Sequence, residues 1–165
     1  MDVDSTIIYS SNWKAGVFWG NLAGCLAFYH SLTGFSLLVI NTAFILISSD
    51  YEFIFGCSIL LGLIIILLGI ILLPLVFSCF LGRQYHIYAT IHAYVTFMVN
   101  LIHLVLIVFV SYEISKLTSF SSLSSRFLLA DLGLLILTLI IGIVTWVAYV
   151  GRQFHEPNGQ FILQL

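Results

Sequence analysis

Apolar residues crowd into four long runs along the chain, and short polar clusters separate them. A hydrocarbon core about 30 Å thick needs about 20 mostly apolar residues per helix, so each run predicts one membrane-spanning helix. The first covers about 24–48, the second about 53–80, the third about 88–110 and the fourth about 127–150. The second contains LLGLIIILLGIILLPLVF, the purest apolar run in the chain, with Pro74 expected to kink its last turns. SSDYE at 48–52 reads as a tight acidic turn, and GRQYH at 82–86 joins the second run to the third. The Ser-rich segment 111–126 is the one long loop expected, and 151–165 is a short tail. Residues 1–23 carry Trp13, Phe18 and Trp19 around Lys14, an amphipathic aromatic stretch suited to the headgroup layer.

These runs predict an all-α integral membrane protein: one four-transmembrane-helix bundle over 1–165, built as two hairpins. An even number of spans puts both termini on one side. Lys14, Arg83 and Arg152 then share that side, while Lys116 and Arg126 face the other together with Asp50 and Glu52. Positive charge at span ends marks the cytosolic face, so the expected topology is N-in, C-in. The pentapeptide GRQYH is echoed by GRQFH at 151–155. Each is expected to end the descending helix of a hairpin, with Gly82 or Gly151 stopping the helix. Arg83 and Arg152 would snorkel to phosphates, and His86 and His155 follow an interfacial ring. The echo is either convergence on the same interface or a duplicated hairpin.

Polar residues inside the spans fall on stripes. Helical geometry puts His92, Thr96, Asn100 and His103 within an arc of about 80° on the third span. His30 and Asn41 share a line on the first, beside Gly34. Asp131, Thr138, Gly142, Thr145 and Tyr149 share one on the fourth, and the second offers only Ser58, Gly62 and Gly69. Polar groups at membrane depth face the bundle interior, and glycines let helices approach closely. Depth along the spans predicts an inner His30–His92 neighbourhood and an outer His103–Asp131 contact. Such residues serve either as interhelical hydrogen bonds that fix packing or as a proton-sensitive site. Asp131 has a simpler reading as well, a carboxylate near a helix N-terminus facing outside water.

Composition agrees with a lipid solvent. The chain is 61% hydrophobic and 7% charged, with a mean hydropathy of +1.16, against about 25% charged residues in a soluble domain. A net charge of −2 gives nucleic acid no basic face to bind. The start of the chain has acids where a signal peptide would have bases, so the first span is expected to be retained. Three scattered cysteines make no disulfide framework and no metal spacing. Cys25 and Cys79 sit near cytosolic span ends, where palmitoylation or an ordinary membrane thiol both fit. Leu163-Gln164-Leu165 ends the chain in an apolar-x-apolar pattern that a PDZ-type groove takes as an added strand. Esterase, zinc-protease and phosphate-loop motifs do not occur, so no enzyme activity, metal or cofactor is expected.

Around Cys25 and Ser31-Leu32-Thr33-Gly34 the chain resembles the four-span lysosome-associated LAPTM-type proteins and their arthropod septate-junction relatives of the Pasiflora and Fire-exit kind. There a cysteine-containing segment precedes a Ser-x-Arg-Thr-Gly-like start of the first span. This chain lacks the Arg, the paired cysteines and the sorting motifs of the tail. The resemblance implies a non-enzymatic protein working through lateral partners at a cell junction, in the plasma membrane or in endolysosomal membranes. Tetraspanins fit less well, for want of a Cys-Cys-Gly and a large disulfide-bonded outer domain, and claudins for want of a Trp/Cys signature in the first outer loop, which is only SSDYE. The functional expectation is therefore a scaffold, junction component or accessory subunit that associates with itself or with other membrane proteins. The other expectation is an oligomeric proton-sensitive transporter or channel using the intramembrane His, Asn and Asp residues.

Overall fold

A computed structural model describes the backbone of residues 3–77, 83–117 and 121–155, and side chains at 19, 22–70, 90–117 and 121–151. Those residues form four helices: α1 (Val3–Ile47), α2 (Glu52–Phe77), α3 (Arg83–Ser115) and α4 (Leu123–His155). Within them Leu22–Ile47, Glu52–Ile70, Thr90–Ser115 and Leu123–Gly151 are each long and apolar enough to cross a membrane. The helices alternate in direction around a ring. α1 packs on α2 and α4, and α3 packs on α4 and more lightly on α2. α1 therefore stands diagonally across from α3.

The boundaries depart from the sequence expectation in three places, each for a local reason. Residues 3–23 do not turn aside into an interfacial segment; they continue α1 as one 45-residue helix. Both ends of the expected loop 111–126 are helical, since α3 runs on to Ser115 and α4 starts at Leu123. SYEIS extends α3, where Lys116 Nζ donates to Glu113 at 2.7 Å and lies 4.1 Å from the Tyr112 ring centre. The serines that suggested a loop start α4 instead. Ser122 Oγ accepts the Ser125 amide at 3.2 Å, an N-cap that satisfies an otherwise orphaned donor.

The third departure concerns the echoed pentapeptides. α2 ends at Phe77, three residues past Pro74, and Arg83–His86 open α3 rather than close α2. α4 runs straight through Gly151 to His155. Gly151 stops nothing; it makes room, since a Cβ there would fall 3.1 Å from the Trp19 indole of α1. One copy thus begins a helix and the other finishes one. The side chains of Arg83, His86, Arg152 and His155 lie outside the described residues, as do Cys79 and Leu163–Leu165 altogether.

Two devices hold the helices together. The first is a close backbone crossing of α1 and α2. A Cβ on Gly62 would meet the Gly34 carbonyl oxygen at 2.6 Å, and one on Gly34 would meet the Gly62 oxygen at 2.9 Å. Only glycine at both positions permits that approach. The second is the 48–51 turn. Tyr51 takes a left-handed φ of 63°, and its carbonyl accepts the amides of Ile54 and Phe55 at 2.9 and 3.1 Å to start α2. Ser124 donates to Asp50 Oδ2 at 2.6 Å and lies 2.9 Å from Ser48 Oγ, so Ser48 donates to Ser124. That chain ties the turn to the start of α4, where a carboxylate also suits the helix dipole.

The core has two parts. Toward the loop end, Leu37, Phe55, Ile65, Leu128, Leu135 and Val110 are fully enclosed. Phe44 stacks on Phe127 at 4.2 Å and meets Phe55 edge-on at 5.4 Å. Toward the tail end, Ala23, Ala27, Ala93 and Ala148 are small enough to admit Trp19, Trp146 and Tyr149.

Candidate functional site

Every polar residue of the expected stripes turns inward: His30, Asn41, His92, Thr96, Asn100, His103 and Asp131 are all buried. They form a seam through the bundle rather than a set of isolated pairs, and the seam has three parts.

The part nearest the loop end centres on Asp131, which is 0% exposed. Asn41 Nδ2 of α1 donates to Asp131 Oδ1 at 2.9 Å, and Ser58 Oγ of α2 donates to Oδ2 at 2.9 Å. Asn41 Nδ2 also reaches the Leu37 carbonyl at 3.0 Å. One carboxylate thus joins three helices. Two expectations for Asp131 are corrected here. It does not face outside water, because α4 begins at Leu123 and carries it more than two turns inside. Nor is His103 its partner. Asp131 points between α1 and α2, whereas His103 approaches the Leu135 carbonyl of α4, a full turn away.

The part nearest the tail end centres on His92. Its Nε2 lies 3.3 Å from the Leu68 carbonyl of α2, and its Nδ1 lies 3.1 Å from Thr96 Oγ1. A carbonyl only accepts, so Nε2 carries a proton; in the neutral ring Nδ1 then accepts from Thr96. The ring also lies against Tyr149 of α4, with centroids 4.9 Å apart. His92 thus has both nitrogens engaged, holding α3 to α2 and α4.

The middle part differs. His30 lies within electrostatic reach of both His92 and His103, across the diagonal of the bundle. Yet His30 Nε2 and Asn100 Oδ1 have no hydrogen-bond partner on the protein, and the His103 ring approaches the Leu135 carbonyl without a well-formed bond; Asn41 Oδ1 and Tyr149 Oη lack a partner as well. His30 and Asn100 converge on Gly142 of α4. A Cβ at Gly142 would fall 3.0 Å from His30 Nε2 and would collide with Asn100 Oδ1. Thr138 and Thr145 direct their hydroxyls to the carbonyls of Leu134 and Ile141 on their own helix, at 2.8 and 2.7 Å.

Chemically, the hydrogen bonds between helices gather at the two ends of the seam, around Asp131 and His92. Among the described residues, no group of three or more His, Cys, Asp or Glu is placed to hold a metal ion. Cys25 is exposed on the outer face of α1, and Cys57 is half-buried against the core. The links Ser48–Ser124–Asp50 and Ser31–Gly69 escape sequence reading. The first joins residues more than seventy positions apart through two loops, where no helical period operates. The second leaves only a glycine as its mark.

The outward faces are apolar. On α2, Phe53, Leu60, Leu63, Leu67 and Ile70 are exposed, and on α3 Tyr94, Met98, Ile102, Val105 and Val108 are exposed. A comparison with protein-family models, with curated proteins and with solved structures found no match to this chain.

Proposed function

We propose that this is a small N-in, C-in membrane protein that works by lateral association, as a scaffold, junction component or accessory subunit. The observation that carries the reading is the sorting of its side chains. Polar groups that would drive hydrogen bonding between protomers are turned inward, and the two ends of the seam tie them to neighbouring helices. What remains for a neighbour is the leucine- and isoleucine-rich face of α2 and the broad apolar face of α3. In lipid such faces associate by shape and packing rather than by hydrophobic transfer. The resemblance of Cys25 and Ser31–Gly34 to the start of LAPTM-type spans points the same way. The membrane is then the plasma membrane or an endolysosomal one, with the exposed Cys25 a candidate for palmitoylation.

A second reading, transport or conduction of protons or ions, draws on one observation: the unpartnered polar atoms of His30, Asn100 and His103. Ionisable residues at membrane depth are the components of ion pathways and proton relays. Flux through proteoliposomes separates the two. Association predicts that an imposed pH gradient decays no faster with the protein than without it. A decay that rises with protein density and falls in His30→Leu or His103→Leu would refute it in favour of transport.

A further inference from the structure

We propose that Asp131 is a proton-binding site, and that the bundle closes on its neutral carboxylic acid rather than on the carboxylate ion. The side chain is fully buried and stands more than two turns inside α4, in the membrane-spanning stretch Leu123–Gly151. An ion at that depth needs a counter-charge. The groups that face Asp131 supply none. α1 offers the Asn41 amide and α2 the Ser58 hydroxyl, both uncharged. Cys57 and Tyr51, half-buried against the same core, carry no positive charge. α3 brings His103, but its ring approaches the Leu135 carbonyl instead. On α4 itself Arg126 is exposed, and five residues of helix place it about 140° round from Asp131. The turn beyond adds Asp50 and Glu52, exposed carboxylates that would repel a further negative charge. A carboxylate ion shut in with neutral partners alone is costly in hydrocarbon.

A proton removes that charge without needing space. Asn41 Nδ2 and Ser58 Oγ already lie 2.9 Å from the two carboxyl oxygens. A metal cation would have to displace them, whereas a proton fits between atoms already in contact. Carried on Oδ2, it donates to Ser58 Oγ across the same 2.9 Å, and Oδ1 remains the acceptor for Asn41. The Ser58 hydrogen is then released to a second acceptor. Ser31, Thr42, Thr138 and Thr145 each give theirs to the carbonyl four residues back on their own helix, and Ile54 holds that position for Ser58. With a carboxylate ion the node is also short of a hydrogen, because Asn41 Oδ1 is buried without a donor. The inference goes beyond either reading of function: a proton that stays in place serves packing, and flux requires one that moves.

The full-length protein in lipid bilayers, labelled with ¹³C at the aspartate carboxyls, tests this by infrared spectroscopy, in which protonated carboxyls and carboxylate ions absorb in separate bands. The expected result at neutral pH is a protonated-aspartate band. Asp131→Asn should remove it, and Ser58→Ala should shift it by taking away the acceptor. Denaturation in mild detergent gives a second readout. The folded chain holds a proton that the unfolded chain gives up to water above about pH 4, so raising the pH from there should weaken the bundle. The unfolding constant of the wild type, relative to that of Asp131→Asn, should rise by up to about tenfold per pH unit, the limit for one proton. A spectrum with no protonated-aspartate band at neutral pH would overturn the proposal, and so would a band that neither substitution alters. A ratio of unfolding constants that stays flat with pH would overturn it as well. If Asp131→Asn fails to fold, Ser58→Ala still assigns the band, because it leaves the carboxyl in place.

Discussion

Replacing Gly62 by alanine tests the α1–α2 crossing, the tightest contact in the bundle. The new Cβ would lie 2.6 Å from the Gly34 carbonyl oxygen, where ordinary contact begins at 3.4 Å. Relief requires a separation of roughly 1 Å between two backbones, and packed interiors resist such shifts. The obstacle is a main-chain atom, so no rotamer change removes it. Overpacking of this kind costs about 1–3 kcal/mol. Alanine in a helix also gains about 1 kcal/mol over glycine, which offsets part of the loss. Gly133→Ala isolates that gain, because a Cβ at Gly133 meets nothing within 4 Å. Gly62→Ala should therefore be less stable than Gly133→Ala by about 1–3 kcal/mol, five- to 150-fold in the unfolding constant. Denaturation titrations of both variants in the same mild detergent measure the difference. Equal stability of the two would refute the backbone crossing.

The Asp131 node gives a prediction that separates packing from proton chemistry. Asp131→Asn keeps an acceptor for Asn41 and presents an amide donor to Ser58, so stability should change by less than about 1 kcal/mol, whereas Asp131→Leu strands both partners and should lose about 1–2 kcal/mol. Phe44→Leu keeps an apolar side chain but removes the ring contacts to Phe127 and Phe55, and should lose about 1–3 kcal/mol in the same titration. The Glu113 hydrogen bond holds the Lys116 ammonium charged above its ordinary value of 10.5. A raised folded value means that the pair's contribution is complete below 10.5 and fades as pH rises through the folded value. Glu113→Gln should return the Lys116 titration, followed by NMR, toward its ordinary position.

Much of this arrangement was legible in the chain. Four apolar runs predicted four helices, and helical spacing alone turned His30, Asn41, His92, Thr96, Asn100, His103 and Asp131 inward. Depth was a poorer guide to pairing. It fixes the level of a residue along the bundle but not the direction it faces. That is why His103 and Asp131, on adjacent helices, point to different neighbours. Helix ends failed where one residue type serves two purposes. The serines at 121–125 read as loop but cap α4, and Gly151 reads as a stop but accommodates Trp19. The echo of GRQYH in GRQFH was real as sequence and misleading as structure, since the two copies occupy opposite ends of their helices.

Lateral association is most directly tested by extracting the protein from its native membrane in polymer-bounded lipid discs and weighing the discs' protein content by native mass spectrometry. Lateral association predicts the 18.5 kDa chain in a fixed ratio with further copies of itself or with a second membrane protein. It also predicts that a bulky polar substitution on the exposed face, such as Leu67→Gln or Val105→Gln, dissociates the assembly while the chain stays folded. Discs that hold a single folded copy and nothing else would contradict it.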